Sequence, residues 1–319
     1  MQIIRYGIMG TAKIATRFVS AVRDSEGGEV VALASREEGK ALQRAKELGI
    51  SRVYGSYEAL LEDPEVDVIY VPSINAMHYS HAKMALEKGK AVLCEKPMTL
   101  SARETAELFH LAEHRGVFLM EAQKCVFLPV TQAVKELVGR GTLGTVRHLE
   151  YNIAIPHVGF QWFYEKKAGG GLLQGNGTYL LSHAMELLEE EMEDGQALAT
   201  LGDTGVDLQC TLQFRTASGV LIRGFMTTLT EGNSYMRITG DQGMVEIPDF
   251  WKAREAKVQL RGKESDTLSF PVDHEMVYEV NHVNACLRQG KAKSEVMSPE
   301  RSMRIAEIVE TLITSFSPE

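Results

Sequence analysis

The sequence predicts an N-terminal, doubly wound parallel α/β domain, followed by an α+β domain with a large open, mostly antiparallel sheet flanked by helices. Two observations predict this fold class. The chain has 319 residues, which is more than one hydrophobic core usually serves. Its pattern also changes from short apolar runs between amphipathic helices to longer strands of alternating polarity. We predict domains at 1–124 and 125–319, and the last helix is a candidate for packing back on the first domain.

Five apolar strands separated by helices predict the first domain. The predicted strands are Ile3–Met9, Val30–Ala34, Val68–Val71, Ala91–Cys94 and Val117–Met120. The predicted helices are Ala12–Val22, a stretch through Leu48, Ser80–Glu87 and Ala102–His114. Continuous apolar runs of this length are typical of parallel strands that are buried on both faces. Right-handed crossovers between such strands produce the Rossmann arrangement.

Strands dominate the second domain. The predicted strands are Thr145–Ala154, Asp207–Phe214, Gly219–Leu229, Tyr235–Thr239 and Met244–Ile247. The predicted helices are Val130–Leu137, Leu172–Glu190, Tyr278–Leu287 and Pro299–Thr314. We interpret the acidic run Glu186–Asp194 as a solvated helix end. Alternating apolar residues in Leu208–Phe214 and Val220–Met226 predict a sheet face that packs on another subunit, as a homodimer or higher homo-oligomer.

Composition narrows the function classes. A net charge of -9 opposes binding to nucleic acid or an anionic membrane surface, so neither is an expected partner. The four cysteines form no C-x-x-C pair, and no apolar run approaches the length of a membrane span. We therefore expect a cytoplasmic protein with free thiols. His110 and His114 have a metal-ligand spacing, but no third ligand accompanies them, so no metal site is expected.

A relaxed glycine-rich turn follows the first predicted strand. Gly10, Thr11, Ala12, Lys13 and Ile14 stand where a dinucleotide-binding G-x-G-x-x-G motif would lie, with Ala12 and Ala15 replacing two glycines. The first glycine permits the tight turn, and the helix that follows presents free N–H groups to a pyrophosphate. This pattern indicates an NAD(P) site, while an ordinary strand–turn–helix remains the alternative.

The end of the second strand bears on which dinucleotide binds. NAD-specific sites usually carry an acidic residue there, which bonds the ribose hydroxyls. This chain has Ser35 and Arg36 instead. A hydroxyl and a guanidinium suit a 2′-phosphate. We therefore prefer NADP over NAD, although Glu37 and Glu38 stand nearby and Arg36 also fits a solvated helix start.

A strand ending in Glu95-Lys96-Pro97, after such a glycine turn, resembles the glucose–fructose oxidoreductase/inositol dehydrogenase family, Gfo/Idh/MocA. The stretches Ser73–His78, Gly169–Tyr179, Ile238–Gly243 and Tyr278–Arg288 also resemble this family, so the likeness covers nearly the whole chain. Within the family, the chain looks most like dimeric dihydrodiol dehydrogenases and NADP-dependent xylose dehydrogenases.

The resemblance implies an NAD(P)-dependent dehydrogenase or reductase that acts on a CH–OH group of a sugar, polyol, cyclitol or dihydrodiol. Lys96 and Tyr179 would be the catalytic residues, with Tyr179 as general acid/base. A free tyrosine has a pKa of about 10, and a nearby ammonium lowers it by favouring the phenolate. The cofactor would also contact residues that follow the predicted strands Val68–Val71 and Ala91–Cys94: Ser73, Asn75, His78 and Glu95.

The chain departs from the family pattern near the catalytic tyrosine. Many relatives carry an aspartate four residues before it, where this chain has Gly175. A cofactor-binding regulator without turnover therefore remains a second hypothesis. Four further residues are candidates for substrate contact, although His183 and Trp162 also fit a packed core: Lys124, Trp162, Asn176 and His183.

Overall fold

The computed structural model describes residues 2–316, which form two compact units. The first unit runs through Gln123 and resumes at His274–Ala306. The second comprises Lys124–Asp273 and the residues from Glu307 onward. The last long helix thus contributes its first part to one unit and its second part to the other. The expected division of cofactor and substrate binding at residue 124 stays a prediction.

The first unit is a Rossmann domain. Its parallel strands are β1 (Ile4–Met9), β2 (Gly28–Ala34), β3 (Arg52–Tyr54), β4 (Val68–Val71), β5 (Ala91–Glu95) and β6 (Leu119–Ala122). Its helices in this part are α1 (Ala15–Asp24), α2 (Glu38–Leu48), α3 (Tyr57–Glu62), α4 (His78–Glu87) and α5 (Ala102–Arg115). The order β3-β2-β1-β4-β5-β6 reverses between β1 and β4. Ligands of such sheets bind at this reversal, beyond the carboxyl ends of the strands.

The five predicted strands of this unit are confirmed. They were recognisable because both faces of the sheet are covered, as the burial of all four residues of β4 shows. Strand β3 and helix α3 were not predicted from the sequence. Strand β3 has three residues and lies at the sheet edge, where Arg52 is exposed. A strand this short at an edge produces no apolar run.

The second unit is built on an eight-stranded sheet. Its strands are β7 (Val146–Ala154), β8 (Met192–Leu201), β9 (Asp207–Thr216), β10 (Leu221–Thr227), β11 (Tyr235–Gly240), β12 (Gly243–Pro248), β13 (Glu255–Leu260) and β14 (Asp266–Ser269). The order is β14-β13-β12-β11-β7-β10-β9-β8. All neighbours are antiparallel except the central parallel pair β7 and β10. Helices α6 (Pro129–Gly139) and α7 (Thr178–Leu188) complete the unit.

The interpretation of the acidic run Glu186–Asp194 as a solvated helix end is only partly correct, because Glu189 and Glu191 are exposed just after the helix end but Glu186 is buried. Helix α7 stops at Leu188, and β8, which the sequence reading missed, begins at Met192. Glu186 is only 3% exposed, and its carboxylate accepts hydrogen bonds from Lys135 and Gln132. The charge at this position is buried because two donors from α6 compensate it.

The alternating apolar residues of β9 and β10 do not form an outer subunit face. Cys210, Leu212, Phe214, Ile222 and Met226 are buried in the core of their own unit. The opposite face carries exposed polar side chains on Thr211, Gln213, Arg215 and Arg223, and it also exposes Leu221 of β10. The argument for a sheet-mediated dimer from this alternation is therefore wrong, and the assembly itself stays a prediction.

Two helices close the chain. Helix α8 (Val277–Arg288) lies in the first unit, where Asn284 accepts a hydrogen bond from the Tyr6 hydroxyl at 2.7 Å. Helix α9 (Pro299–Ser315) begins behind Ser298, whose hydroxyl accepts from the Arg301 amide. Among the helices of residues 2–316, none has the length and apolar character that crossing a membrane requires.

Candidate cofactor and catalytic site

The glycine turn of the first unit presents an open cradle. Gly10 has a φ of +126°, which a side-chain-bearing residue rarely adopts, and its amide donates to Ala34 O at 2.9 Å. An added Cβ at Gly10 would first meet Tyr57 Oη, at 4.0 Å. Helix α1 starts directly after the turn, and Ile14 at its N-cap has no polar side-chain atom. A phosphate group fits such a helix start, because the first N–H groups need an acceptor.

Arg44 of α2 supports this turn, and the sequence reading missed it. Its Nη2 donates to Thr16 Oγ1 at 2.7 Å and to the carbonyl oxygens of Ala12 at 3.3 Å and Lys13 at 3.4 Å. The side chain is 16% exposed. Its positive charge therefore lies beside the start of α1, where it reinforces the positive end of the helix dipole.

The residues expected at the adenosine ribose lie in a small polar cluster. Ser35 is buried, and its hydroxyl accepts from the Glu37 amide at 3.3 Å, while Arg36 is exposed. Burial raises the pKa of Tyr57, and the neighbouring Arg36 guanidinium opposes that shift. His81 packs edge-on against Tyr57, with ring centroids 4.8 Å apart. Tyr57 and His81 therefore belong with the predicted cofactor residues, although no motif marks them.

His81 connects this cluster to the loop after β4. Its Nδ1 lies 3.0 Å from Ser73 Oγ. Burial, followed by the charges of His78 and Arg36, lowers the pKa of His81 to about 4. The ring is therefore neutral near pH 7 and can pack against an apolar adenine face without a desolvated charge.

His78 joins two loops of the first unit. It is fully buried, with Nδ1 at 2.7 Å from Pro97 O and Nε2 at 2.9 Å from Ser73 O. Asn75, in the short turn just before it, is 6% exposed. Both ring nitrogens of His78 lie within hydrogen-bond distance of a backbone carbonyl, and a neutral ring donates to one of the two. The ring thus joins the loop that carries Ser73 and Asn75 to Pro97, and its expected contact with a cofactor stays a prediction.

Lys96 follows β5, and two nearby glutamates are themselves held in place. Glu95 accepts from the Tyr70 hydroxyl at 2.6 Å and from the Lys96 amide at 3.3 Å. Glu121, at the end of β6, accepts from the Met98 amide at 3.0 Å. Burial raises the pKa of Glu121, and hydrogen bonds and the charge of Lys96 oppose that shift. The loop that carries Lys96 is thus fastened on both sides.

The glycine run of the second unit leads into the helix that carries Tyr179. Gly171 has a φ of +106°, and an added Cβ would overlap Asp207 Oδ1. At Gly170 an added Cβ would overlap the carbonyl of Phe163. After the run, Leu173–Gly177 forms a π-helical turn that continues into α7. Such turns occur often at functional sites.

Tyr179 is the second residue of α7 and is 7% exposed. Its ring stacks on Trp251, with centroids 6.5 Å apart and planes inclined by 18°. One turn before it, an added Cβ at Gly175 would meet no atom within 4 Å. Asn176 in the same turn is half-buried. There is room at Gly175 for the acidic side chain that many relatives carry.

The chain matches two family descriptions. "Oxidoreductase family, NAD-binding Rossmann fold" covers residues 4–123, and "GFO/IDH/MocA C-terminal domain" covers residues 131–246. A trans-1,2-dihydrobenzene-1,2-diol dehydrogenase of Mus musculus is 33% identical, over 96% of this chain and 95% of that protein. The chain belongs to the Gfo/Idh/MocA family. The resemblance that its sequence motifs indicated is therefore confirmed, and it is an NAD(P)-binding oxidoreductase.

Solved structures of the Gfo/Idh/MocA fold agree with this assignment. A variant of a 3-ketoreductase from Actinomadura kijaniata, in complex with TDP-benzene and NADP, is 25% identical with a TM-score of 0.86. It covers 99% of this chain and 100% of its own. An aldose-aldose oxidoreductase from Caulobacter crescentus, complexed with glycerol, is 22% identical with a TM-score of 0.88, covering 98% and 97%. The predicted fold class is confirmed.

The candidate substrate residues of this Gfo/Idh/MocA protein differ in how far their side chains are buried. Lys124 is 5% exposed, in a short turn after β6. Trp162 is half-buried and stacks on Phe160 at 6.1 Å. His183 is fully buried between Tyr151 and Thr131, so its expected contact with substrate is wrong: no part of its side chain is accessible. Among residues 2–316, no three His, Cys, Asp or Glu side chains converge as metal ligands.

Proposed function

We propose that this protein is an NADP-dependent dehydrogenase or reductase acting on a CH–OH or C=O group of a sugar, polyol, cyclitol or dihydrodiol. One observation supports the substrate class. The chain is 33% identical to a trans-1,2-dihydrobenzene-1,2-diol dehydrogenase, and the match covers 95% of that protein. A trans-dihydrodiol and a sugar share adjacent hydroxyl groups on a six-membered ring. The proposed substrate is therefore a small molecule with adjacent hydroxyl groups, and no nucleic acid takes part.

NADP is the preferred cofactor because of the residues that follow β2. Ser35 and Arg36 offer a hydroxyl and a guanidinium, and no carboxylate stands at the strand end itself. A guanidinium pairs with a phosphate through charge-assisted hydrogen bonds. The NADP complex of the structural relative supports the same preference. Five turn residues would hold the pyrophosphate, namely Gly10, Thr11, Ala12, Lys13 and Ile14, and Ser73, Asn75 and Glu95 would line the nicotinamide half.

Lys96 and Tyr179 are the proposed catalytic residues. When bound, the nicotinamide supplies the hydride acceptor or donor. Tyr179 Oη takes the hydroxyl proton as an alcohol is oxidised and returns it to a carbonyl oxygen in the reverse direction. The Lys96 ammonium hydrogen-bonds the reacting oxygen, stabilises its negative charge and favours the phenolate of Tyr179. Glu95 and Glu121 keep the loop of Lys96 in place.

Lys124, Trp162 and Asn176 are proposed to contact the substrate. Trp162 presents an aromatic face that suits stacking on a sugar ring, and Lys124 and Asn176 offer hydrogen-bond donors. We further propose a homodimer or higher homo-oligomer. A cytoplasmic location is consistent with four buried free thiols: Cys94, Cys125, Cys210 and Cys286.

The test is turnover at the reduced-nicotinamide absorbance band, with NADP and NAD in parallel, against aldoses, polyols, inositols and dihydrodiols. Tyr179→Phe and Lys96→Met should each abolish turnover. Tyr235→Phe is the matched control, because its hydroxyl bonds Glu150 on the outer sheet face. Full activity of Tyr179→Phe would overturn the assignment of the acid/base. Retained NADP binding without turnover of any substrate would instead support a cofactor-binding regulator, and Gly175→Asp would then test whether a carboxylate restores activity.

A further inference from the structure

Asp207 is a buried carboxylate that no motif of the sequence marks. It is the first residue of β9 and is 4% exposed. Its Oδ2 accepts a hydrogen bond from the Leu173 amide at 2.7 Å. Its Oδ1 lies so near Gly171 that an added Cβ there would clash with it, so the absence of a side chain at Gly171 makes room for the carboxylate. Strand β9 and the glycine run therefore pack against each other through this side chain.

Keeping a charge at this position is costly. Burial raises the pKa of Asp207 to about 6, while amide donors, foremost that of Leu173, oppose the shift. A buried asparagine or serine would satisfy one amide without this desolvation cost. What an ionised carboxylate adds is a stronger hydrogen bond and a negative charge at the start of a helical segment, where the backbone dipoles favour it.

The helical segment that Asp207 anchors carries the proposed acid/base. The amide at Leu173 opens the π-helical turn Leu173–Gly177, and α7 follows without a break from Thr178. Tyr179 stands six residues after Leu173, which is about 9 Å along a helix. The tyrosine ring is further held against Trp251. Movement of the anchored end would displace the hydroxyl from the reacting oxygen.

We propose that Asp207 is a positioning residue for Tyr179: its ionised carboxylate fixes the start of the π-helical turn, and protonation of that carboxylate lowers turnover. This inference rests on the proposed catalytic role of Tyr179. Asp207 itself would touch neither substrate nor cofactor, and its protonation would make turnover sensitive to mildly acidic pH.

The surroundings of Asp207 assign this pH sensitivity to its own carboxylate. From the glycine run it is faced by Gly171 and by the backbone amides of Leu172 and Leu173, none of which titrates. The residue registered opposite it on β8 is Leu201. On its own strand, Cys210 is the titratable neighbour, and burial and the carboxylate raise the pKa of that thiol. The thiol therefore stays protonated through the range in which Asp207 titrates.

The test compares Asp207→Asn with the wild-type enzyme from pH 5 to 9. Asparagine keeps the shape and one carbonyl acceptor but cannot ionise. The wild type should lose kcat as the pH falls through about 6, and the variant should lack this acid limb. At pH 8 the variant's kcat should be lower by roughly tenfold to a hundredfold, because small misplacements of a catalytic group cost about this much. Its KM and its affinity for NADP should change little.

Two controls separate the possible failures. Asp203→Asn, on the exposed turn before β9, should retain the wild-type profile. In the wild type, tryptophan fluorescence, which comes from Trp162 and Trp251, should report the same transition near pH 6, and this measurement does not depend on the folding of any variant. Unchanged kcat and an unchanged acid limb in Asp207→Asn would overturn the positioning role, as would the absence of a fluorescence transition. Full activity of Tyr179→Phe would refute the catalytic assignment itself, whatever Asp207 does.

Discussion

Gly171→Ala should destabilise the second unit by an amount that follows from two features of the structure. An L-residue at a φ of +106° costs of order 1–2 kcal/mol. The new Cβ would also overlap Asp207 Oδ1, so the carboxylate must move away from the Leu173 amide. Losing a hydrogen bond to a charged group costs about 1.5–3 kcal/mol. The expected sum is about 2.5–5 kcal/mol, or roughly 5–20 °C in the melting temperature of a unit of this size.

The two tryptophans of the chain make this change measurable. Trp162 and Trp251 both lie in the second unit, so tryptophan fluorescence during thermal or urea unfolding reports that unit. Gly139→Ala is the matched control, since Gly139 is the exposed last residue of α6 in the same unit, and an added Cβ there would meet no atom within 4 Å. It should not lower the unfolding midpoint, because alanine favours helix over glycine. An unfolding midpoint of Gly171→Ala equal to that of the wild type would refute the reasoning.

Three further predictions concern the cofactor site and acid stability. Arg44→Met should weaken NADP binding by about tenfold in fluorescence titrations, because it removes a positive charge beside the start of α1. Its kcat at saturating cofactor should not change. Lys46→Met, at an exposed position of the same helix, is the control. Ser35→Asp should shift the preference from NADP toward NAD, because a carboxylate repels a 2′-phosphate and accepts from a 2′-hydroxyl; unchanged kcat/KM ratios for the two cofactors would contradict this. Burial lowers the pKa of His183 to about 3, below its unfolded value, so its contribution to stability is complete above about pH 6.5 and is lost as the pH falls toward 3, by about 1.4 kcal/mol per unit. Urea midpoints at several pH values should show this loss, and the slope should be smaller in His183→Asn.

The first unit was predictable because its signals are local. A parallel sheet buried on both faces requires apolar runs, and the glycine turn lies within a few residues of the strand and helix that it joins. Strands β8, β13 and β14 lacked such signals. Strand β8 is exposed along most of its length, the four-residue β14 forms the opposite edge of the sheet, and β13 lies next to that edge. Edge strands are short or polar for the same reason that they are hard to recognise: they have fewer buried positions to mark them.

Part of the site could not be predicted, because the contacts that create it join distant segments. Arg44 supports a turn about thirty residues before it, and Asp207 anchors an amide 34 positions away. Nothing near either residue distinguishes it from a solvated charge. The contact between Tyr57 and His81 likewise could not be predicted, because it forms only when α3 and α4 pack together. Motif matching located Lys96 and Tyr179, while the residues that hold such groups in place became visible only from the folded chain.

Tyr179 and His183 lie one turn apart on α7 and were both candidates for the site, and the hydrogen bonds of His183 show which of the two can transfer a proton. The Thr131 hydroxyl donates to Cys125 O at 2.7 Å, so it must accept from Nε2–H of His183 at 3.2 Å. Nδ1 then carries the lone pair and accepts from the Tyr151 hydroxyl at 3.1 Å. A histidine in this neutral tautomer, with no exposed atom, has no lone pair to offer a substrate. Tyr179 keeps some exposure, so of the two it is the one that can act as the acid/base.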